Sequence, residues 1–330
     1  SSTEVEQARP LCESATDTVA YLALLADKQL LFNDKKSAFI MYAAEGRSWV
    51  SLRDPIGSEE DSEELIWRFR ELSDRHGGWT VFYQVDAAKL HLYLELGLSF
   101  FKLGEEARVR LDGFSLDGSS RKGLRYVQRK LEKEGYSFSV LAPEEVARAM
   151  PELKAISDAW LKEKNTREKG FSLGYFDEGY LKHFPHAVVR NKEGKLAAFA
   201  NLWPGGGKEE LSIDLMRYLP DFSNGVMDYL FTHLMLWGKQ QGYRWFNLGM
   251  APLSGLEDRQ LAPLWNRVGA RLFRLGENFY NFQGLRQYKE KFDPQWQPKY
   301  LACPGGIALP TILTNVVSLV SRGLRGAISK

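Results

Sequence analysis

The chain has 330 residues, which at roughly 150 per domain predicts two domains. Forty-four Lys and Arg against 42 Asp and Glu leave a formal charge of +2, so no global excess marks a nucleic-acid binder, and 44% hydrophobic with 26% charged residues excludes disordered and collagen-like classes. Cys12 and Cys303, at opposite ends, make neither a disulfide framework nor a metal-ligand cluster, and a reducing, cytosolic setting is expected.

The chain opens Ser-Ser-Thr-Glu, without the basic and apolar pattern of an export signal. Residues 37–42, 48–52 and 80–85 read as strands, with an amphipathic helix over 63–76. Ser119 to Gly135 carries a basic stripe in which Arg121, Arg125 and Arg129 recur every four residues beside Lys122; it suits a polyphosphate backbone or is simply a wet helix face. Ala142-Pro143-Glu144-Glu145 reads as a helix start. Residues 187–190, 196–203, 211–218 and 245–248 read as strands, and 225–241 as a long helix between the last two. Both halves are therefore mixed α/β, with helices packed on central sheets. Tyr300 to Ser321 is uncharged, but Pro304, Gly305, Gly306 and Pro310 make it a poor membrane span. The tail carries an apolar stripe, Ile312, Val316, Leu319, Val320 and Leu324, flanked by Arg322, Arg325 and Lys330. It either lies on an anionic membrane or caps the second half.

The sequence repeats itself. Gly97 to Glu105 and Gly269 to Glu277 share the pattern G-x-x-x-F-(K/R)-L-G-E, and each copy is followed by Gly-Leu-Arg, at 123–125 and 284–286. Two similar modules are expected, residues 1–145 and 146–306, followed by a C-terminal amphipathic helix over 307–330.

Chemistry concentrates in the second module. Between residues 211 and 249 a strand, a loop and a helix N-terminus form an arrangement suited to an anion. The pyrophosphate loop of acetyl-coenzyme A-using acyltransferases, (R/Q)-x-x-G-x-(G/A), is missing, and Asp221 would repel a pyrophosphate, so coenzyme A is disfavoured and no cofactor is expected. Asp214 and Arg217, three apart, face opposite sides of a regular strand; they form an edge ion pair worth under about 1 kcal/mol, or a β-bulge turns both into one cleft. From 278 to 300, Phe279, Tyr280, Phe282, Tyr288, Phe292, Trp296 and Tyr300 interleave with Arg286, Lys289, Lys291 and Lys299, as a surface for bases or headgroups or as an amphipathic helix with an aromatic core face. The five histidines show no metal spacing and no G-x-S-x-G elbow accompanies them, so neither a metal nor a serine nucleophile is expected.

Asp214-Leu-Met-Arg217-Tyr, Gly225-Val-Met-Asp228, the run from Phe246 through Asn247 to Gly255, and Phe279-x-x-Phe-x-Gly-Leu-Arg286-x-Tyr288-Lys289-x-Lys291-Phe292 together resemble the C-terminal domain of the aminoacyl-phosphatidylglycerol synthases, the multiple peptide resistance factors. The resemblance covers nearly the whole chain. It implies two tandem GNAT modules behind an N-terminal transmembrane flippase region, at the cytoplasmic face of the bacterial inner membrane. It further implies transfer of an aminoacyl group from aminoacyl-tRNA to a hydroxyl of phosphatidylglycerol, which makes the membrane less anionic and resists cationic antimicrobial peptides. Carried onto matching positions, Asp214 is base or hydroxyl orienter, and Arg217 and Lys289 are cations for phosphate or oxyanion. Glu277, Arg286, Asn247, Tyr288 and Lys291 would bind the lipid or the aminoacyl end. Arg121, Lys122, Arg125 and Arg129 would contact tRNA; Leu319, Arg322 and Arg325 would contact the membrane. The sequence looks closest to the alanyl branch, so alanyl-tRNA is the expected donor. The alternatives are a lysyl enzyme, a Fem-type or leucyl/phenylalanyl-type transferase acting on an amine, and a module that only holds tRNA or lipid.

Overall fold

The structure, a computed structural model, describes residues 2–222, 224–254 and 282–322. One mixed sheet of eleven strands runs through both halves. In the first half these are β1 (Gln29–Phe32), β2 (Phe39–Glu45), β3 (Ser48–Leu52), β4 (Trp79–Asp86), β5 (Ser99–Arg110) and β6 (Ser137–Leu141). The second half gives β7 (His186–Arg190), β8 (Leu196–Pro204), β9 (Glu210–Tyr218), β10 (Trp245–Pro252) and β11 (Gln295–Cys303). Their order across the sheet is β1-β2-β3-β4-β11-β5-β10-β9-β8-β7-β6.

Each half repeats one plan. Antiparallel strands lead to a parallel pair joined by a crossover helix: β3 and β4 by α2 (Glu59–Arg75), β9 and β10 by α6 (Val226–Gln240). Local sequence explains both helices. Ser58 caps α2 by accepting from the Asp61 N–H, three acidic residues fill its first turn, and Leu65, Ile66 and Phe69 form its buried face. In α6, Leu230, Leu234 and Met235 are fully buried. These are the tandem acyltransferase-like modules that the resemblance implies.

The modules share the middle of their sheet. β11, from the C-terminal part of the chain, lies between β4 and β5, while β5 pairs on its other side with β10. From Phe282 on, the aromatic and cationic segment before Tyr300 is a helix, α7 (Phe282–Glu290), followed by the inserted strand; Phe279 and Tyr280 lie outside the described residues. The first Gly-x-x-x-Phe repeat lies at the start of β5, and the two Gly-Leu-Arg copies lie on α3 (Lys122–Lys133) and α7. Residues 269–277 lie outside the described residues. The span 141–151 holds the junction of β6 with α4 (Pro143–Glu163).

One face of the sheet is covered continuously. Val50, Val81, Tyr83 and Leu103 of the first half join Val188, Phe199, Trp203 and Leu215 of the second in a single core, roofed by α1 (Ser2–Ser14), the 3-10 turns of 18–25, α4 and α8 (Leu309–Val320). The opposite face carries a separate core for each half, under α2 and under α3 with α6. The apolar stripe of α8 faces inward: Ile312, Leu313 and Val316 are buried against β2 and β3, and Leu319 and Val320 pack on the same core. It therefore caps the first half, where the sequence offered it to a membrane or to the second.

Charge crosses the shared middle. Arg53 pairs with Asp17 at 2.9 Å and with Glu106 at 3.0 Å; Lys299 pairs with Asp86 at 3.0 Å and lies 3.6 Å from Glu106. Burial alone would raise the Glu106 carboxyl, but Arg53 and Lys299 overcome it and hold it down at about 2. Glu106→Ala strips two buried cations of their shared carboxylate and is expected to cost about 3–5 kcal/mol in urea unfolding. Arg110→Ala, which breaks an exposed pair with Asp112, should stay within about 0.5 kcal/mol of the parent.

Candidate active site

The chemistry-bearing residues follow from where the parallel pair β9–β10 divides. The two strands pair only over 210–212 and 245–247; beyond this β9 bonds only to β8 and β10 only to β5. A gap opens between them, with residues 213–218 on one wall and 248–252 on the other. The division coincides with a bulge on each strand. On β9, Ile213 pairs with Leu202 but Met216 with Ala200, so 214 and 215 together face Asn201, whose Oδ1 accepts from the Leu215 N–H at 2.8 Å. On β10 the register shifts between Asn247 and Met250.

The β9 bulge turns Asp214 and Arg217 to the same face of the sheet. Asp214 and Arg217 both engage the segment from α4 to α5 (Glu178–Leu181). Asp214 Oδ1 accepts from the Gly174 N–H and Oδ2 from the Tyr180 hydroxyl, each at 2.9 Å. The Tyr180 oxygen in turn accepts from the Trp203 indole N–H at 2.9 Å. Burial pushes the Asp214 carboxyl up to about 6, against these two hydrogen bonds and the nearby charges of Lys28 and Arg217. Arg217, buried, holds both oxygens of Glu168 at 2.8 and 3.1 Å, donates to Ser157 Oγ at 2.8 Å, and lies 4.7 Å from the Trp160 ring centre. Its charge is thus already paired, and the edge pair with Asp214 is not formed.

A second polar group lies further along the same strand. Glu210, Ser212 and Asp214 alternate onto one face of β9. Glu210 accepts from Thr18 Oγ1 at 2.7 Å and from Asn247 Nδ2 at 3.3 Å, and Arg108 lies 3.1 Å away. Burial and the Glu106 charge raise its carboxyl well above the ordinary range. Lys289 of α7, 5% exposed, donates to the Met250 carbonyl at 2.9 Å on the opposite wall. Burial lowers its amine to about 7, only partly countered by Glu106. Asn247 and Lys289 are thereby brought to the modular seam, and Asp214 and Arg217 to the neighbouring bulge.

The other expected residues are placed as follows. Arg286 pairs with Glu105 at 3.0 Å and stacks 4.0 Å over Trp296; Tyr288 packs between Phe231 and Phe292, and Lys291 pairs with Asp228 at 3.1 Å. Lys122 and Arg129 of α3 are exposed, whereas Arg121, just before the helix, donates to the carbonyls of Lys291 and Phe292, and Arg125 to those of Leu116 and Gly118. Half of the basic stripe therefore ties loops together. Arg322 stacks 4.0 Å over Tyr175. Glu277 and Arg325 lie outside the described residues. Among the described residues no three His, Cys, Asp or Glu side chains are grouped to hold a metal, and no helix is long and apolar enough to cross a membrane.

Sequence reasoning missed Tyr180, Gly174, Trp203 and Glu168, which hold the bulge, and Glu106 and Glu210, which hold the seam. The acidic pair Glu105-Glu106 inside a strand-length run was the one available signal.

Comparison with known proteins is consistent with this geometry. The family model for the C-terminal region of phosphatidylglycerol lysyltransferase matches residues 9–303. Phosphatidylglycerol lysyltransferase of Bacillus subtilis is 38% identical over 96% of this chain, and that of Staphylococcus aureus 38% over 92%. The chain spans about a third of their length, 37% and 36%. Among solved structures, the C-terminal domain of an Agrobacterium fabrum protein provisionally assigned as a lysylphosphatidylglycerol synthetase is 41% identical, with a TM-score of 0.89 over 98% of this chain and 99% of that one. L-PGS from Bacillus licheniformis is 40% identical, with a TM-score of 0.86 over 96% of each chain. FemX, at 10% identity and a TM-score of 0.58 over 90% of this chain and 95% of that one, shares the fold. The relatives' names carry lysyl and give no support to the alanyl preference.

Two outcomes follow from the geometry. A Cβ at Gly174 would lie 1.7 Å from Asp214 Oδ2, so Gly174→Ala must displace the carboxylate and is expected to cut turnover at least about tenfold, while Gly113→Ala, which meets nothing within 4 Å, leaves it unchanged. Lys289 prefers its neutral form when folded, so the unfolded chain binds more protons between about 7 and 10.5, and wild-type stability should climb with pH across that window. Lys289→Met should show a smaller climb than wild type when urea midpoints are compared at pH 7 and 10, since buried Lys169 and Lys28 are also lowered.

Proposed function

Because the chain belongs to the family of phosphatidylglycerol lysyltransferase C-terminal domains, we propose that it transfers an aminoacyl group, lysyl before alanyl, from aminoacyl-tRNA to a hydroxyl of phosphatidylglycerol. The observation that carries this reading is Asp214, a hydrogen-bonded carboxylate raised to about 6 at the point where two parallel strands separate.

The reaction exchanges one ester for another. The lipid hydroxyl oxygen attacks the aminoacyl carbonyl carbon while its proton passes to Asp214. The bond from that carbon to the tRNA ribose oxygen then breaks, and the proton moves to the leaving oxygen. A hydroxyl is a weak nucleophile without such a base, and a carboxylate near 6 is a stronger base than an ordinary one while remaining mostly ionised at neutral pH. Lys289, on the opposite wall, supplies positive charge for the developing oxyanion or a phosphate, its amine dividing between charged and neutral near pH 7. The exposed Lys122 and Arg129 of α3 are the groups of the basic stripe available to a tRNA backbone. In this reading a membrane-embedded region precedes the domain in the full protein, and the domain works at the cytoplasmic membrane surface.

The test is to incubate the chain with phosphatidylglycerol vesicles and tRNA charged with labelled lysine or alanine, and to count label in the organic phase. Label from lysyl-tRNA is expected. Label from alanyl-tRNA alone would restore the alanyl reading, and label from neither ends the lipid reading. Asp214→Asn should lower the rate by about 10² or more. The wild-type rate should rise with pH through about 6, as the carboxyl loses its proton.

A further inference from the structure

Asp214 is held by a chain of side chains that no sequence motif announced. Trp203, on β8, donates its indole N–H to the Tyr180 oxygen, and Tyr180, on α5, donates its hydroxyl hydrogen to Asp214 Oδ2, both at 2.9 Å. The order of donation is forced: an indole N–H can only donate, so the phenol hydrogen is free to point at the carboxylate. Tyr180 is 2% exposed, so bulk solvent does not compete for its hydroxyl. Its ring is fixed edge-on against Phe184, with centroids 4.9 Å apart, and Phe184 is fixed against Tyr21 at 5.2 Å. Tyr21 in turn bonds the carbonyl of Pro204, the residue after Trp203, at 2.6 Å. The hydroxyl therefore has one geometry. From the other side the Gly174 N–H takes Oδ1, so the carboxylate is gripped at both oxygens, leaving about two of its roughly four lone-pair directions for a substrate.

We propose that Tyr180, oriented by Trp203, is the positioning residue of the reaction: it fixes the Asp214 carboxylate in one orientation and stabilises its charged form. The inference rests on Asp214 being the base of the proposed transfer, but its physical content can be read without turnover. The charged groups around Asp214 are Lys28, whose Nζ also pairs with Asp27 at 2.6 Å, and Arg217, already neutralised by Glu168. Neither cation is within the hydrogen-bonded shell of the carboxylate, so the phenol is its one side-chain donor among the described residues. Tyr180→Phe removes that donor with little change of shape.

The experiment follows the Asp214 carboxyl by carbon NMR in protein labelled at aspartate, with the resonance assigned by its loss in Asp214→Asn. In wild type its midpoint is expected near 6. In Tyr180→Phe it should move upward by about one pH unit, and in Trp203→Phe upward by less, because the phenol remains but is no longer aimed. In the transfer assay Tyr180→Phe should lower kcat about tenfold while KM for aminoacyl-tRNA and for lipid stays within about twofold, with the acid limb of the rate profile moved up in step. An unmoved midpoint in both variants overturns the proposal, as does a loss confined to KM. If Tyr180→Phe fails to fold, the midpoint in Trp203→Phe decides. If wild type carries no label into lipid, the transfer reading fails by itself, and the NMR midpoints still decide whether Tyr180 sets the carboxylate.

Discussion

Ionised groups in the interior of a sheet are tolerable only when each is met by an opposite charge or a donor, and this requirement organises the molecule. Arg53, Glu106, Lys299, Asp86 and Asp17 come from separated stretches of the sequence, yet they meet where the two modules share strands. Leaving one partner out exposes the others to a desolvation penalty of several kcal/mol. The seam therefore fixes the register of β5, β10 and β11 together. Those strands in turn set where β9 and β10 must divide, and so where Asp214 stands.

Much of the architecture was legible because it is written in local pattern. Seven of the eleven strands and both crossover helices follow from alternation and amphipathicity, with ends within a few residues of the observed ones. Two of the four exceptions share a cause. β5 and β11 carry charged residues in their interiors, because they line the seam, so their polarity argues against burial when read along the chain. The same logic hid half of the site. Asp214 and Arg217 could be singled out, and the bulge that unites them could be anticipated from their spacing. Tyr180, Gly174 and Trp203 could not, since what matters about them is a meeting across 34, 40 and 23 positions of sequence that only the folded sheet creates. Conversely, Arg121, Arg125 and Arg286 looked available as cations in the sequence, and the structure gives each of them a carbonyl or carboxylate to hold.

The proposed site would combine two kinds of control over protonation. At the bulge a carboxylate is raised by burial and moderated by two neutral donors. On the opposite wall an amine is lowered by burial and donates to a backbone carbonyl. Groups whose environments bring their proton affinities toward neutrality from opposite directions suit a transfer in which a hydroxyl must lose a proton and an ester oxygen must gain one. The paired Arg217 has a different part: its ion pair with Glu168 ties the segment before α5 to β9, which is what brings the Gly174 N–H over the carboxylate.

The placement of β11 has a consequence for biosynthesis. The strand that completes the first module is made some two hundred residues after β4 and β5, so these two emerge with a gap between them and with Glu106 and Arg53 lacking Lys299. The first half cannot reach its final form before β11 has been made. Closure of the sheet must wait for contacts spanning some two hundred positions, a slow, non-local step of the kind that exposes unpaired strand edges to chaperones or to aggregation. Loss of Gln295–Cys303 alone would forfeit the centre of the sheet and not merely its margin.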